Sequence, residues 1–379
     1  MVGCLIVGAI PTALAGLVYN YPGLMAIRFF VGILGGTFVP CQVWTTVFYD
    51  DNVIGRVNAF AAGWGNAGGG VTFFVMPAVV AGLMQTGYTV HTSWRVAFAI
   101  CPFVIIVFTA GLILVFGHDT PNGPWRKQNN MIQVSTQNSI AVQLSEIPPN
   151  VEMVLSKNDD GKLAETNIST NNSTDWKTAL KVIFTFQTAL VALPYLCSFG
   201  SELAVEGMIS SFYVQQAKIS EQLWSQQKAG NWAAMFGLLN IVTRPAGGYI
   251  ADLLYRNENV QLKKYWMLFT GLVMSIFFLW IGLTQLHIAG LVGAMAVLAV
   301  FMDAANGAVF AVVPHIHVHY QGIVAGLTGA CGSLGGILFN LAFRYNGTNY
   351  HKALWQIGIV CSTINILLVW IKIPSSKHK

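Results

Sequence analysis

The stretch AGWGNAGGG occupies residues 62–70, and GACGSLGGI at residues 329–337 repeats its pattern. Aligned with each other, the two stretches pair Gly65 with Gly332, Asn66 with Ser333, Gly68 with Gly335 and Gly69 with Gly336. Three of these pairs are glycines, and the fourth pairs an amide with a hydroxyl. Glycine in an apolar helix lets two backbones approach closely. We interpret these six glycines as helix-packing positions. The repeat predicts two related halves built from helices.

The composition around this repeat predicts a membrane protein. Only 9% of the 379 residues are charged, against roughly 25% in an average soluble domain. The chain is 54% hydrophobic and contains 38 Gly, 23 Phe and 11 Trp, more than a soluble surface could hide. The net charge is only +5 and no basic run alternates with aromatics, so we expect no nucleic-acid partner. These counts exclude a soluble enzyme and make the lipid bilayer the expected surroundings.

Ten apolar stretches are long enough to cross a bilayer as helices, which takes about 20 residues each. They lie near residues 2–19, 23–48, 57–84, 95–117, 178–214, 229–250, 265–285, 288–313, 320–343 and 354–373. Residues 118–177 interrupt the series with 12 charged residues and repeated Asn, Ser and Thr. Such composition is typical of a solvated, largely disordered loop.

The two glycine-rich stretches are six spans apart. Two halves of six spans around a central site are typical of secondary transporters. We therefore expect an all-α membrane protein with a transmembrane half at 1–117, a cytoplasmic loop at 118–177 and a second half at 178–379. Because the first half has four spans, we expect two further helices before residue 1, so that ten of twelve are present.

Basic residues near the ends of the spans set the expected orientation, because they favour the cytoplasm. With residue 1 inside, the inner segments carry the larger share of Lys and Arg, among them Arg56, Arg256 and Lys263. The outer segments carry fewer, including Arg95 and Lys228. The pattern predicts a multi-pass protein with both termini in the cytoplasm.

Arg244, followed by Pro245, is the most informative polar residue within a span. An arginine near the middle of a membrane helix costs about 2.5–3.5 kcal/mol, so it should face a polar cavity and a partner. Asn66 lies at nearly the same predicted depth, and Ser333 slightly closer to the middle. Because a guanidinium matches two oxygens at once, the three residues together predict a site for a small planar anion.

Other polar residues leave more than one interpretation open. Glu202 and Glu206, four residues apart, and Asp303 are candidates for a proton relay or for packing hydrogen bonds. Arg28 is expected to be a structural anchor. His315, His317 and His319 alternate after a proline, a common loop pattern that does not predict a metal site. No P-loop, zinc helix or nucleophile elbow occurs, so we expect no enzyme, cofactor or metal.

Five stretches of the chain are similar to one family. They are RFFVGILGGTFVPCQVW at 28–44, AGWGNAGGG at 62–70, HDTPNGPW at 118–125, RPAGGYIAD at 244–252 and ANGAVFAVVPH at 305–315. They resemble the nitrate/nitrite porter family of the major facilitator superfamily, and its fungal high-affinity nitrate transporters in particular. The resemblance covers nearly all of the chain.

The resemblance implies the twelve-helix major facilitator fold, alternating access, and proton-coupled uptake of nitrate, with nitrite also accepted, across the plasma membrane by a monomer. It implies that Arg244 contacts nitrate and that Asn66 lines the site, with Tyr195 or Phe199 against the anion. Ser333 stands where the second signature usually has Asn, and the family's first-half arginine would fall before residue 1. A nitrite exporter, a nitrate/nitrite exchanger, and a non-transporting sensor or remnant are the alternatives.

Overall fold

A computed structural model describes residues 1–50, 52–118, 120, 176–255, 259–317 and 320–373. These residues form α-helices joined by short turns and 3-10 segments. The α-helices are α1 (Val2–Leu14), α2 (Tyr21–Val31), α3 (Phe38–Phe48), α4 (Ile54–Gln85), α5 (Val90–Phe116), α6 (Trp176–Ile183), α7 (Phe186–Ile219), α8 (Gln226–Leu238), α9 (Asn240–Leu254), α10 (Val260–Leu283), α11 (Ile288–Val312), α12 (Gln321–Asn346) and α13 (Tyr350–Leu368). Most of the predicted central loop, Arg256 and His319 lie outside the described residues.

Each of the ten apolar stretches falls on one helix or on consecutive helices. In the described part of the chain, seven segments are long and apolar enough to cross a membrane: Tyr21–Phe48, Ile54–Gln85, Val90–Phe116, Phe186–Ile219, Val260–Leu283, Ile288–His315 and Gln321–Asn346. A shorter apolar helical segment covers Val2–Leu17. The stretch predicted at 229–250 is divided into α8 and α9, which meet at Leu239.

Hydroxyl and amide side chains define where several helices begin. Thr185 accepts a hydrogen bond from the backbone of Thr188 at the start of α7, and Ser225 accepts one from Lys228 at the start of α8. Such caps satisfy backbone N–H groups that have no partner within the helix.

The second glycine-rich stretch brings α12 and α7 into close contact. A Cβ added to Gly335 would collide with the backbone carbonyl of Leu196, and one added to Gly200 would lie 2.6 Å from the Cα of Gly335. The two helices therefore approach backbone to backbone. Gly336 lies against Leu203 of α7, 3.0 Å from an added Cβ.

The first glycine-rich stretch packs differently from its counterpart. In α4, Gly63 lies against the carbonyl of Asn240 and Gly70 against the backbone of Leu238. A Cβ added to Gly65 or Gly68 would meet no atom within 4 Å among the described residues. The contact of α4 with α8 and α9 therefore uses glycines at positions 63 and 70, on a different face from Gly65 and Gly68.

The chain divides into two compact units. Met1–Gly117 and Val182–Lys379 together form the first, and His118–Lys181 forms the second. The first unit contains all the residues discussed below. Its division into two transmembrane halves stays a prediction.

Candidate functional site

Arg244 lies in α9 and is fully buried. Its Nη2 donates a hydrogen bond to the hydroxyl of Tyr195 at 3.0 Å, whereas Nε and Nη1 have no hydrogen-bond partner. Among the described residues, no carboxylate oxygen lies within 4.0 Å of the guanidinium. A buried cation with unused donors is costly unless something pairs with it. The guanidinium thus has two buried nitrogens whose N–H groups could donate to an anion.

An aromatic wall stands beside this guanidinium. Tyr195 is fully buried and stacks on Phe199, with ring centroids 5.0 Å apart and planes 9° apart. Phe38 stacks on Tyr195 at 6.5 Å, and Phe310 meets its edge at 5.0 Å. Gly332 makes room for the wall, because an added Cβ would lie 2.6 Å from Tyr195 Cδ1 and 2.8 Å from Phe199 Cδ1.

Of the two aromatic residues left open by the sequence, Tyr195 is the one that contacts Arg244. Its hydroxyl accepts a hydrogen bond from Nη2 of the guanidinium, and Phe199 extends the same wall one turn further along α7. The ring of Phe199 is only partly buried, whereas that of Tyr195 is enclosed. Tyr195 therefore orients the arginine, and Phe199 offers the more accessible ring surface.

Glu202, one percent exposed, is enclosed by three amides from three helices. Its Oε1 accepts hydrogen bonds from Asn66 of α4 at 3.2 Å and from Asn240 of α9 at 2.8 Å. Its Oε2 accepts one from Asn306 of α11 at 2.6 Å. We call Glu202, Asn66, Asn240 and Asn306 the amide cage. Asn66, predicted to share one depth with Arg244, is thus bonded to Glu202, and Glu202 lies within electrostatic range of Arg244.

Two further carboxyl groups lie near the amide cage. Asp303 is fully buried; its Oδ2 accepts a hydrogen bond from Thr243 at 2.8 Å, and its Oδ1 has no partner. Glu206 lies one turn beyond Glu202, beside Gly69 and Gly237, and its Oε1 also has no partner. Asp303 and Glu206 both lie within electrostatic range of Glu202. The three candidate coupling residues therefore form one cluster.

The structure does not bring every predicted site residue to this cluster. Ser333 is exposed on α12, although its neighbour Gly332 packs against Tyr195. Arg28 is exposed on α2. His315 lies beside Lys263, with its Nε2 3.1 Å from Nζ, and no group of three or more His, Cys, Asp or Glu side chains suited to a metal occurs in the described residues.

Sequence reasoning missed Asn240 and Asn306. Asn240 precedes Arg244 by four residues and Asn306 follows Asp303 by three, so each shares a helix face with a charged residue. These spacings of four and three residues were the sequence signal that could have identified both asparagines as site residues. The aromatic contacts of Phe38 and Phe310 had no comparable signal, since aromatic residues are frequent throughout the apolar spans.

A second buried charge cluster joins three helix ends. Asp252, at the end of α9, accepts hydrogen bonds from the backbone of Gly55 at 3.1 Å and Arg56 at 2.8 Å, at the start of α4. It also pairs with the fully buried Lys263 of α10 at 3.1 Å. The carboxylate thus satisfies the N-terminus of α4, where negative charge is favourable.

Comparisons with known proteins agree with this architecture. A profile described as the Major Facilitator Superfamily matches residues 1–340. The Elsinochrome transporter 1 of Elsinoe fawcettii is 36% identical over 267 residues, which cover 68% of this chain and 51% of that protein. The High affinity nitrate transporter 2.5 of Arabidopsis thaliana is 31% identical over 335 residues, which cover 87% of this chain and 57% of that protein.

The chain therefore spans little more than half the length of these two relatives. Among solved structures, the fucose:proton symporter of E. coli superposes with a TM-score of 0.56 at 12% identity, covering 97% of this chain and 81% of that one. A likeness at so low an identity concerns the fold alone.

Proposed function

Because the chain belongs to the major facilitator superfamily, we propose that it is a secondary transporter that carries nitrate across the plasma membrane by alternating access. Nitrite, which is also a small planar oxyanion, is proposed as a second substrate, and protons as the coupling ion. The protein acts as a monomer with both termini in the cytoplasm. The two transmembrane halves, 1–117 and 178–379, rock around the anion.

The observation that carries this proposal is the buried guanidinium of Arg244 with two nitrogens unused. Nη2 keeps a second N–H besides the one that the Tyr195 hydroxyl accepts, and with Nε or Nη1 it forms a planar fork that fits two oxygens of a planar oxyanion at once. Tyr195 fixes the orientation of the fork through Nη2. Hydrogen-bond donors that are already oriented bind an anion without the cost of ordering them.

The aromatic wall supplies the second element of selectivity. The face of Phe199 is available for a flat ligand, and Tyr195 stacks behind it. Asn66 donates a hydrogen bond to Glu202, which lies one turn beyond Phe199 on α7. These groups suit a small, flat, singly charged ion.

The two relatives described above carry the names of different substrates, elsinochrome and nitrate. The unpaired guanidinium favours the nitrate alternative, since a fully buried charge needs an ionic partner. A transporter that works in the opposite direction, as a nitrite exporter or a nitrate/nitrite exchanger, would use the same site. The site therefore does not determine the direction of transport, which requires an assay separate from the one that identifies the substrate.

The test is nitrate uptake into proteoliposomes that contain the purified protein. Arg244→Lys replaces the planar guanidinium by an ammonium group, which has no pair of coplanar N–H donors to bind two oxygens of one anion at once. A hydrogen bond to a charged group contributes about 1.5–3 kcal/mol, so losing one predicts nitrate affinity reduced roughly 10- to 150-fold. The matched control is Arg344→Lys, an exposed arginine in the last turn of α12.

Uptake should collapse in the first variant and persist in the control. Nitrate uptake that is equal in both variants would refute the assigned role of Arg244. An absence of nitrate uptake, nitrite uptake and exchange in the unmodified protein, under conditions where it is folded, would favour a non-transporting sensor or remnant. Transport of an elsinochrome-like pigment without any effect of nitrate would favour the other named substrate.

A further inference from the structure

The amide cage around Glu202 contains a buried carboxylate to which the proposed binding of nitrate by Arg244 gives no role. A buried carboxylate needs hydrogen bonds to compensate for lost hydration. Glu202 receives three, and they come from α4, α9 and α11. Such a concentration of donors on one carboxylate in a membrane span indicates a functional group.

The cage is short of donors. The Oδ1 atoms of Asn240 and Asn306 are buried and have no hydrogen-bond partner, while their Nδ2 atoms donate to Glu202. A protonated carboxyl group has one O–H donor, and a carboxylate has none. Protonation of Glu202 would therefore give the cage one O–H donor, which either of the two unpaired Oδ1 atoms could accept. After a rotation of either amide, the cage can satisfy the protonated form as it now satisfies the ionised form.

Charge balance connects this cage to the anion site. Arg244 is the cation within electrostatic range of Glu202. The other titratable groups facing Glu202 are Asp303 from α11, and Glu206 and Tyr195 from α7 itself. From α4 the facing side chain is the neutral Asn66. When an anion pairs with Arg244, the negative charge of Glu202 loses its counterion.

We propose that Glu202 takes up one proton when nitrate binds to Arg244, and that it is the residue that couples proton entry to nitrate entry. The proton comes from the aqueous phase, forms an O–H bond on Glu202, and leaves when the anion leaves. The net charge of the cluster is then the same in the empty and loaded states. This inference rests on the nitrate transport proposed above and assigns its coupling residue.

A hydrogen bond from the first half distinguishes Glu202 from Asp303 and from Glu206, which lies beside Gly69 but has no hydrogen bond from residues 1–117 in the described part of the chain. Asn66 of α4 donates to Glu202 from residues 1–117, and Asn240 and Asn306 donate from residues 178–379. Asp303 receives its hydrogen bond from Thr243, within the second half. Movement of one half against the other therefore changes the number of donors on Glu202 and leaves the hydrogen bond of Asp303 in place.

The experiment is isothermal titration of the purified protein with sodium nitrate in buffers of different ionisation enthalpy. The dependence of the binding heat on the buffer gives the number of protons taken up with each nitrate. We expect about one proton per nitrate for the unmodified protein. In Glu202→Gln, which mimics the neutral acid, nitrate should still bind and proton uptake should disappear. Glu221→Gln, at an exposed carboxylate beyond the end of α7, is the control and should match the unmodified protein.

Each outcome bears on one claim. No nitrate heat in the folded, unmodified protein would overturn the proposed function. Nitrate binding without proton uptake in that protein would overturn the coupling proposal alone, and this arm requires no variant to fold. Proton uptake that survives in Glu202→Gln, or that disappears instead in Asp303→Asn or Glu206→Gln, would also overturn it. Loss of nitrate binding in a folded Glu202→Gln protein would overturn it as well, because the proposed role leaves the contacts of the anion intact.

Discussion

Gly332 limits how the aromatic wall sits beside Arg244, and adding one methyl group there tests the wall directly. In Gly332→Ala the new Cβ would lie 2.6 Å from Tyr195 Cδ1 and 2.7 Å from Tyr195 Cε1. Favourable carbon–carbon separations are about 3.5–4.0 Å. The ring or the helix would therefore have to move by about 1 Å to accommodate the methyl group.

Tyr195 has little freedom to move that far. Its ring is fully buried and is contacted by Phe38, Phe199 and Phe310. Overpacking of such a site costs about 1–3 kcal/mol. If this free-energy cost destabilises the geometry in which Tyr195 orients Arg244, nitrate affinity should decrease roughly 5- to 150-fold.

Gly329→Ala is the matched control, one turn earlier on α12. Its Cβ would lie 3.6 Å from Phe38 Cδ1, which is an ordinary contact. Both substitutions gain the same helix propensity, about 0.5–1 kcal/mol, so that contribution cancels between them. The assay is the nitrate dissociation constant of both variants, with thermal unfolding to verify folding. Equal affinities for Gly332→Ala and Gly329→Ala would refute the argument that the wall positions the arginine.

Two predictions concern stability near the end of α9 and the start of α10. Asp252→Asn removes the charge that pairs with buried Lys263 and should destabilise the protein by about 3–5 kcal/mol, because the buried cation loses the carboxylate of its ion pair; an unchanged thermal midpoint in detergent would contradict it. Lys264→Met removes two hydrogen bonds of 3.0 Å to the carbonyls of Val369 and Ile371 after α13. It should cost about 1–3 kcal/mol, visible as faster hydrogen exchange near residue 369, and exchange rates equal to those of the unmodified protein would contradict it.

The positions of the helices were largely predictable from the sequence. Runs of about 20 apolar residues specify a membrane helix because every backbone polar group in lipid must be paired within the segment. Arg244 was identifiable for the same reason, since a charge within such a run requires a function or a partner. The break between α8 and α9 was not, because apolar composition continues across Leu239.

The rotation of each helix about its axis was the information that hydropathy could not provide. In lipid both faces of a helix are apolar, so the pattern does not show which side chains meet. Asn240 and Asn306 reached the cage through that rotation, whereas Ser333 is exposed although it aligns with Asn66. The aligned glycines differ in the same way: Gly335 packs against a neighbouring helix and Gly68 does not.

Basic residues were also harder to place than the spans themselves. Lys263 and Lys264 are expected near a cytoplasmic helix end, and the structure places both in the first turns of α10. Both are buried, because Lys263 pairs with Asp252 and Lys264 donates to carbonyls after α13. A count of charges near helix ends predicts orientation but does not show which of them become buried.

The central claim is that Arg244 binds nitrate, and an experimental structure with nitrate bound tests it most directly. We expect density for a planar anion beside Phe199, within hydrogen-bond distance of Nη2 of Arg244 and of either Nε or Nη1, with the Tyr195 hydroxyl still on the other N–H of Nη2. Nitrate bound elsewhere in a protein that transports it, with the Arg244 fork still empty, would contradict the claim.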